Sequence, residues 1–208
     1  TDRMEQGRAF EESLRVALVA ALCSPNFLYL DETRHPDKRT LRGHELATRL
    51  SYFLWSSMPD EELLRYAANE SLLQPKVLNQ QVERMLEDPR SEQFTENFIG
   101  QWLCLREINE TTPDRKLYNE YDELLQHSLI LESELFFRHL LDENLSVANC
   151  LDSDFAFLNE RSARHYGIDG VDGARLRKVA LPPESVRGGV LTQGAVLKVT
   201  ANGKFCAL

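Results

Sequence analysis

One pattern confines this chain more than any other. Apolar residues return at three- and four-residue intervals over most of its length, which is the spacing of one helix face. Phe10, Leu14, Ala17, Leu18, Ala21 and Leu22 share such a face, Glu11 and Glu12 suit its positive N-terminal end, and Ser24-Pro25 closes it. Leu46, Ala47, Leu50, Phe53 and Leu54 repeat the pattern. The next helix opens at Pro59, with Asp60, Glu61 and Glu62 in its first turn and Leu63, Leu64 and Ala67 inward. Leu78, Val82, Met85 and Leu86 predict another, stopped by Asp88-Pro89, and Phe94, Phe98, Trp102 and Leu105 predict the one after. The longest helix runs from about Tyr121 to Leu141. A short apolar segment around Val147 to Leu151 follows it, and then a short helix in LNERSARHYGIDG, residues 158–170.

Beyond Gly167 the texture changes. GIDGVDGA is turn chemistry, Arg175 to Leu181 alternates like a short strand, Pro182-Pro183 breaks it, and Gly189 to Val199 favours a helix slightly over a strand. The expected class is therefore mainly α, about seven helices in an orthogonal or bundle-like array. The helical domain is expected over residues 1–166. A less regular segment, 167–208, is expected to carry a small β element.

A chain of 208 residues can bury one real core. Its charge of −9, from 33 acidic and 24 basic residues, argues against a broad phosphate-binding face and so against nucleic acid as a partner. The basic runs Arg34 to Arg42 and Arg175 to Lys178 read as solvated faces. No membrane insertion is expected, because the longest apolar run, Val16 to Cys23, falls far short of the roughly 20 residues a bilayer span needs. The N-terminus has no signal-peptide plan. Cys23, Cys104, Cys150 and Cys206 lie far apart, with no CxxC, no CxxCH and no zinc-ligand spacing, so neither haem nor metal is expected in this chain. Cys23 and Cys104 read as small buried hydrophobes, and a disulfide would require Cys150 or Cys206. Trp102, Tyr52 and Phe53 read as core, whereas Trp55, at a helix end, reads as partly exposed.

Chemistry concentrates in the longest helix. Leu124, Leu125, Leu129, Leu131, Leu135, Phe136 and Leu140 form a wide apolar sector, and Tyr121, Ser128, Glu132 and His139 fall in its middle. A carboxyl there is costly unless paired, and burial raises its pKa toward the range useful for proton transfer. Glu132 is thus a candidate general acid, general base or metal ligand, with His139 two turns along. The commoner use of such a group is a buried polar tie, accepting from an Arg, a Tyr or loop backbone and setting the register of packing. The lone Glu-x-x-His, Glu32 to His35, has no second copy and does not make a di-iron site. Phosphate-binding loops and nucleophile elbows are absent, and Asp152 to Asp154 and Asp169 to Asp172 do not fit a calcium loop. In residues 158–170, Asn159 is a natural N-cap, Glu160 and Arg164 can pair across one turn, Gly167 supplies a left-handed stop, and Arg161 and Arg164 face water. His165 and Tyr166 remain as candidates, most simply for docking their helix.

Six phrases in fixed order carry a resemblance. SPNFLYL, ELATRLSYFLWSSMPDEELL, VERMLEDPRSEQFTENFIGQWL, ESELFF, FAFLNERSARHYGI and RGGVLTQGAVLKVT resemble the helical domain of unknown function found in large planctomycete proteins. The likeness covers about Phe10 to Gly203. It implies an exported, extracytoplasmic multi-domain parent, in which the segment 167–208 starts a second short domain and haem c belongs to accompanying cytochrome c-like domains, and a link to redox or polymer-handling systems. It implies no catalytic residue. Two departures stand out: Ser162 replaces a usually apolar residue, and the chain ends in KFCAL where the family continues with a Pro-containing linker and a helix, as a fragment or truncated product would.

The expected function is a non-catalytic scaffold or interaction domain of a larger, cytochrome-associated extracytoplasmic protein, partnered by its other domains or by another protein. The alternative is a hydrolase-type domain acting on a polymer, with Glu132 and His139 or His165 as its acid and base. A solvent-connected pocket shared by Glu132 and His139 with His165 or Asp154 would favour the enzyme. Sealing by Leu and Phe side chains would favour the scaffold.

Overall fold

Helical periodicity translates into nine α-helices and one two-stranded sheet among the described residues, 10–29 and 41–201 of the computed structural model. The fold is mainly α. Contacts divide the chain between Arg90 and Ser91 into two compact units. The first holds α1 (Phe10–Leu22), α2 (Pro25–Leu28), α3 (Gly43–Trp55), α4 (Glu61–Ala68) and α5 (Pro75–Glu87). The second holds α6 (Glu92–Trp102), α7 (Glu123–Asp142), β1 (Phe155–Leu158), α8 (Glu160–Tyr166), β2 (Arg177–Ala180) and α9 (Gly194–Val199).

In the first unit Ala47, Leu54, Trp55, Leu63, Ala67, Leu72 and Met85 are buried. Trp55 is 2% exposed, not partly exposed as its place at a helix end suggested. Its indole N–H donates to the Met85 carbonyl (2.9 Å), and the Arg90 guanidinium lies 3.5 Å over its ring. Burial of an indole becomes favourable once its N–H is satisfied. Tyr52 and Phe53, expected in the core, are about half exposed. Helix α4 begins at Glu61, two residues later than expected, because Asp60 is its N-cap and accepts from the Leu63 N–H (2.9 Å). Arg84 donates to the same carboxylate at 2.8 Å, and that bond holds the Asp60 pKa below its usual value. Helix α1 buries none of its residues, so Cys23 just beyond it is exposed rather than buried.

The second unit is organised on α7. Asp122 caps it by accepting from the Leu125 N–H (2.7 Å), which leaves Tyr121 outside the helix, donating to Gln126 (2.9 Å). Helices α6, α8 and α9 and strand β1 all pack on α7. Leu125, Leu129, Phe136 and Leu140 from α7 join Ile99, Leu105, Ile108, Phe155, Val190 and Ala195 in one buried cluster. Cys104 is exposed in a left-handed turn after α6, and Trp102 is half exposed, so neither belongs to the core as expected.

The small sheet is antiparallel, with Phe155 opposite Ala180 and Leu158 opposite Arg177. The strand expected near Arg175 to Leu181 therefore finds its partner in FAFL, four residues too short to show a period. The segment beyond Gly167 contributes β2 and α9 to the second unit, so the boundary between compact units falls at Arg90 and the change of texture at Gly167 lies inside one of them.

Residues 158–170 fold as a capped helix. The Asn159 side chain accepts from the Ser162 N–H (2.9 Å), the Ser162 hydroxyl accepts from the Asn159 N–H (3.1 Å), and Gly167 ends the helix at φ +68°. Ser162 is fully buried, so the departure from an apolar residue is a capping box. Arg164 is exposed and pairs with Glu160 at 3.1 Å. Arg161 is not turned to water: it donates to the Glu120 carbonyl and lies 3.5 Å from Asp122. The Asn159 amide also donates to Ser128 (2.9 Å) and to the Ala174 carbonyl (3.2 Å). Asn159→Ala should therefore lose a cap and two buried bonds, lowering stability by about 1–3 kcal/mol in urea unfolding. Arg164→Ala, an exposed control, should change it by less than about 0.5 kcal/mol.

Candidate functional site

The longest helix places its one central carboxyl where no water reaches it. Glu132 is 1% exposed. Tyr166, the last residue of α8, donates its hydroxyl to Glu132 Oε2 at 2.6 Å, and the same hydroxyl accepts the backbone N–H of Gly194 at 2.7 Å. One oxygen thus joins α7, α8 and the first residue of α9. The Arg187 guanidinium lies 4.4 Å over the Tyr166 ring, and its Nη1 donates to the Thr192 carbonyl (2.7 Å).

One glycine makes this approach possible, and a second lets the preceding loop lie against Cys150. A Cβ on Gly194 would stand 2.7 Å from Leu129 Cδ2 and 2.9 Å from Tyr166 Oη. One on Gly189, at φ +74°, would stand 2.5 Å from the Cys150 carbonyl oxygen. The phrases ESELFF, NERSARHYG and RGGVLTQG therefore meet at one place.

Desolvation dominates the electrostatics. It pushes the Glu132 pKa up to about 8, against the lowering effects of the Tyr166 hydrogen bond and the Arg187 charge. The carboxyl is accordingly protonated at neutral pH, and Tyr166 is held well above its own ordinary value by the same burial. Neighbouring polar groups on α7 are tied in the same manner. Ser133 donates to the Gln193 side chain (2.6 Å), and Ser128 donates to the Leu124 carbonyl (2.8 Å) while accepting from Asn159.

The two histidines are engaged elsewhere. His139 meets Phe155 and Phe157 edge-on, with centroids 5.3 and 5.5 Å away, and its Nε2 accepts from Lys178 Nζ at 2.9 Å. His165 Nδ1 is 2.8 Å from Glu120 Oε1, and its side chain is 12% exposed. Asp154 uses its backbone carbonyl to accept the Leu181 N–H at 2.7 Å. Glu132, His139 and His165 thus each have a different polar partner on a different element, and the constellation expected along α7 is divided among three contacts.

Sequence reasoning missed Arg187 and Lys198. Lys198 is 4% exposed, and its ammonium donates to the Ile108 carbonyl (3.0 Å) and to the carbonyl and hydroxyl oxygens of Thr111 (2.6 and 2.8 Å). A lysine inside the apolar run AVLKV was the available signal. Among the described residues no three His, Cys, Asp or Glu side chains are placed to hold a metal ion, and no helix is long and apolar enough to cross a membrane. Cys23, Cys104 and Cys150 are free thiols, and burial raises the pKa of Cys150. Glu32, His35 and Cys206 lie outside the described residues. In the first unit, His44, Asp60, Glu61, Glu62, Leu64, Arg65 and Ala68 line an open surface depression, where Asp60 is already committed to Arg84.

Against known proteins, residues 41–168 match the model of the family described as PSD4: Protein of unknown function (DUF1592). Neither a curated protein nor a solved structure matches the chain.

The junction at Tyr166 is open to test by mutation. Tyr166→Phe keeps the ring beneath Arg187 but leaves the Glu132 carboxyl and the Gly194 N–H without their partner, and should lower stability by about 2–4 kcal/mol in urea unfolding. Gly194→Ala should lower it by about 1–3 kcal/mol through overpacking against Leu129.

Proposed function

We propose, from the premise that this chain belongs to the PSD4 family of proteins of unknown function (DUF1592), that it is a non-catalytic scaffold or interaction domain. Its place is in a larger extracytoplasmic protein of the planctomycete kind, one whose other domains include cytochrome c-like haem modules. Those domains, or a protein they bind, are its partners.

The observation that carries this reading is the fate of the three candidate side chains. Acid–base catalysis needs two groups with separated pKa values facing one cleft. Glu132 is instead sealed beneath Tyr166, His139 is packed between Phe155 and Phe157 under Lys178, and His165 is fastened to Glu120. Each makes a contact between elements of the second unit, which is the work of a group that shapes a surface rather than one that turns over a substrate. The six ordered phrases support the extracytoplasmic and haem-associated context. Haem has no attachment motif in this chain, so it belongs to the accompanying modules.

Glu132→Gln, His139→Ala and His165→Ala separate the two roles. Each should lower the unfolding midpoint, by about 1–3 kcal/mol in stability for the histidines, while the wild type releases no product from a panel of soluble polysaccharides. Hydrolysis by the wild type that vanishes in a folded Glu132→Gln variant would overturn the reading. The full-length parent should show a c-type haem absorbance band, and its absence would remove the cytochrome association.

A further inference from the structure

The two-stranded sheet of the second unit leaves the outer edge of β2 uncovered. Its register, with the Leu181 N–H donating to the Asp154 carbonyl at 2.7 Å, makes Val179 with Ala156 and Arg177 with Leu158 the hydrogen-bonded pairs. The N–H and C=O groups of Lys178 and Ala180 therefore point away from β1, as do those of Leu176 in line with them just before the strand. Among the described residues these groups have no hydrogen-bond partner. The edge of β1 is treated differently, since the Phe155 N–H donates to Ser153 Oγ (3.3 Å) and the Phe155 carbonyl accepts from it (3.2 Å). We propose that the free edge of β2 takes an extended acidic peptide of a protein partner as a third strand. This deepens the interaction-domain reading and rests on it.

The edge is preformed. Val179 and Leu181 pack with Ala156, Leu158 and Ala163, and Lys178 is turned back over the Phe155 ring to His139, so β2 is held from both faces while Arg177, Lys178 and Ala180 stay exposed. An added strand gains backbone hydrogen bonds from the outward groups, and its side chains set the specificity. Residues 174–181, ARLRKVAL, hold three cations and no acid. Arg175 and Arg177 are exposed on one face, and Arg177 commits only its Nη1 to the Asp172 carbonyl (2.7 Å) among the described residues. Side chains of a neighbouring strand fall alternately on the two faces. Those beside Arg175 and Arg177 are best met by carboxylates, because directly opposed charges of opposite sign stabilise a pair. Those beside Leu176 and Ala180 are best met by β-branched apolar residues.

The same cations disfavour a second copy of this chain as the occupant. Antiparallel pairing of β2 with itself, centred on Leu176, Arg177 or Lys178, sets Arg175 against Arg177, Arg177 against Arg177, or Lys178 against Lys178. Charge on an edge strand blocks such self-pairing and leaves the edge open to a partner of opposite sign.

A fluorescein-labelled peptide of alternating Glu and Val, titrated into the full chain at low ionic strength, tests this by anisotropy and by amide NMR shifts. Saturable binding is expected, with the Lys178 and Ala180 amides moving most. A third strand turns one parity of its own N–H groups toward β2. N-methylation of either the Val or the Glu set should therefore weaken binding about tenfold or more, and N-methylation of the other set should change it little. Replacing Glu by Lys in the peptide should abolish binding. Ala180→Pro removes an outward N–H that takes no part in the ladder with β1, and should weaken binding about tenfold while leaving the circular dichroism spectrum unchanged. The proposal falls if the acidic peptide does not bind, if both N-methylated peptides bind like the parent, if the Lys peptide binds equally well, or if the Lys178 and Ala180 amides respond to protein concentration alone, as self-pairing would make them. Polysaccharide hydrolysis is scored separately. No peptide binding and no hydrolysis removes the edge site and keeps the scaffold reading, whereas peptide binding together with hydrolysis keeps the edge site and removes the non-catalytic reading.

Discussion

A carboxyl on the buried stripe of a long helix sets the terms for everything packed around it. Removing Glu132 from water penalises its ionised form, and the protein meets that penalty by keeping the proton and supplying one hydroxyl, that of Tyr166. Because that hydroxyl also accepts the Gly194 N–H, the arrangement locks three elements with two hydrogen bonds. The close approach requires glycine at position 194, where any side chain would strike Leu129. A substitution at any one of these three residues therefore disturbs the other two.

The same device recurs along α7, with neutral pairs where Ser128 meets Asn159 and Ser133 meets Gln193, and with a charged donor where Lys178 meets His139, so several of the elements laid on this helix are registered by a side-chain pair as well as by apolar contact. Apolar packing alone tolerates sliding, whereas a buried donor facing the wrong residue costs a hydrogen bond. In the first unit the corresponding fixed point is Trp55, whose N–H reaches across to the Met85 carbonyl while Arg84 and Arg90 cover its ring.

The mainly α class was legible in sequence because a 3.6-residue period survives over thirteen or twenty residues, as in α3 and α7. Short-range signals were legible as well: Asn159, Glu160 and Gly167 cap, pair and stop α8 through contacts within one or two turns. So was the predicament of Glu132, since a wheel shows a carboxyl in an apolar sector. Its partner was not, because Tyr166 lies 34 residues away and arrives only through β1, a strand of four residues. Trp55 was misplaced for a similar reason, its covering residues lying on α5 and just beyond it, some thirty positions on. Lys198 and Arg187 were passed over because a lone cation carries no period, and only the folded chain reveals the carbonyls that receive them.

A neutral, buried Glu132 is what unites the register of α7, the demand for glycine at 194 and the scaffold reading of this family member. The carboxyl carbon of Glu132, assigned in the NMR spectrum by its disappearance in Glu132→Gln, reports the charge directly. The account predicts a protonated carboxyl at pH 7 that titrates with a midpoint near 8. A carboxylate signal already present at pH 7, with a midpoint near the ordinary 4.5, would contradict it.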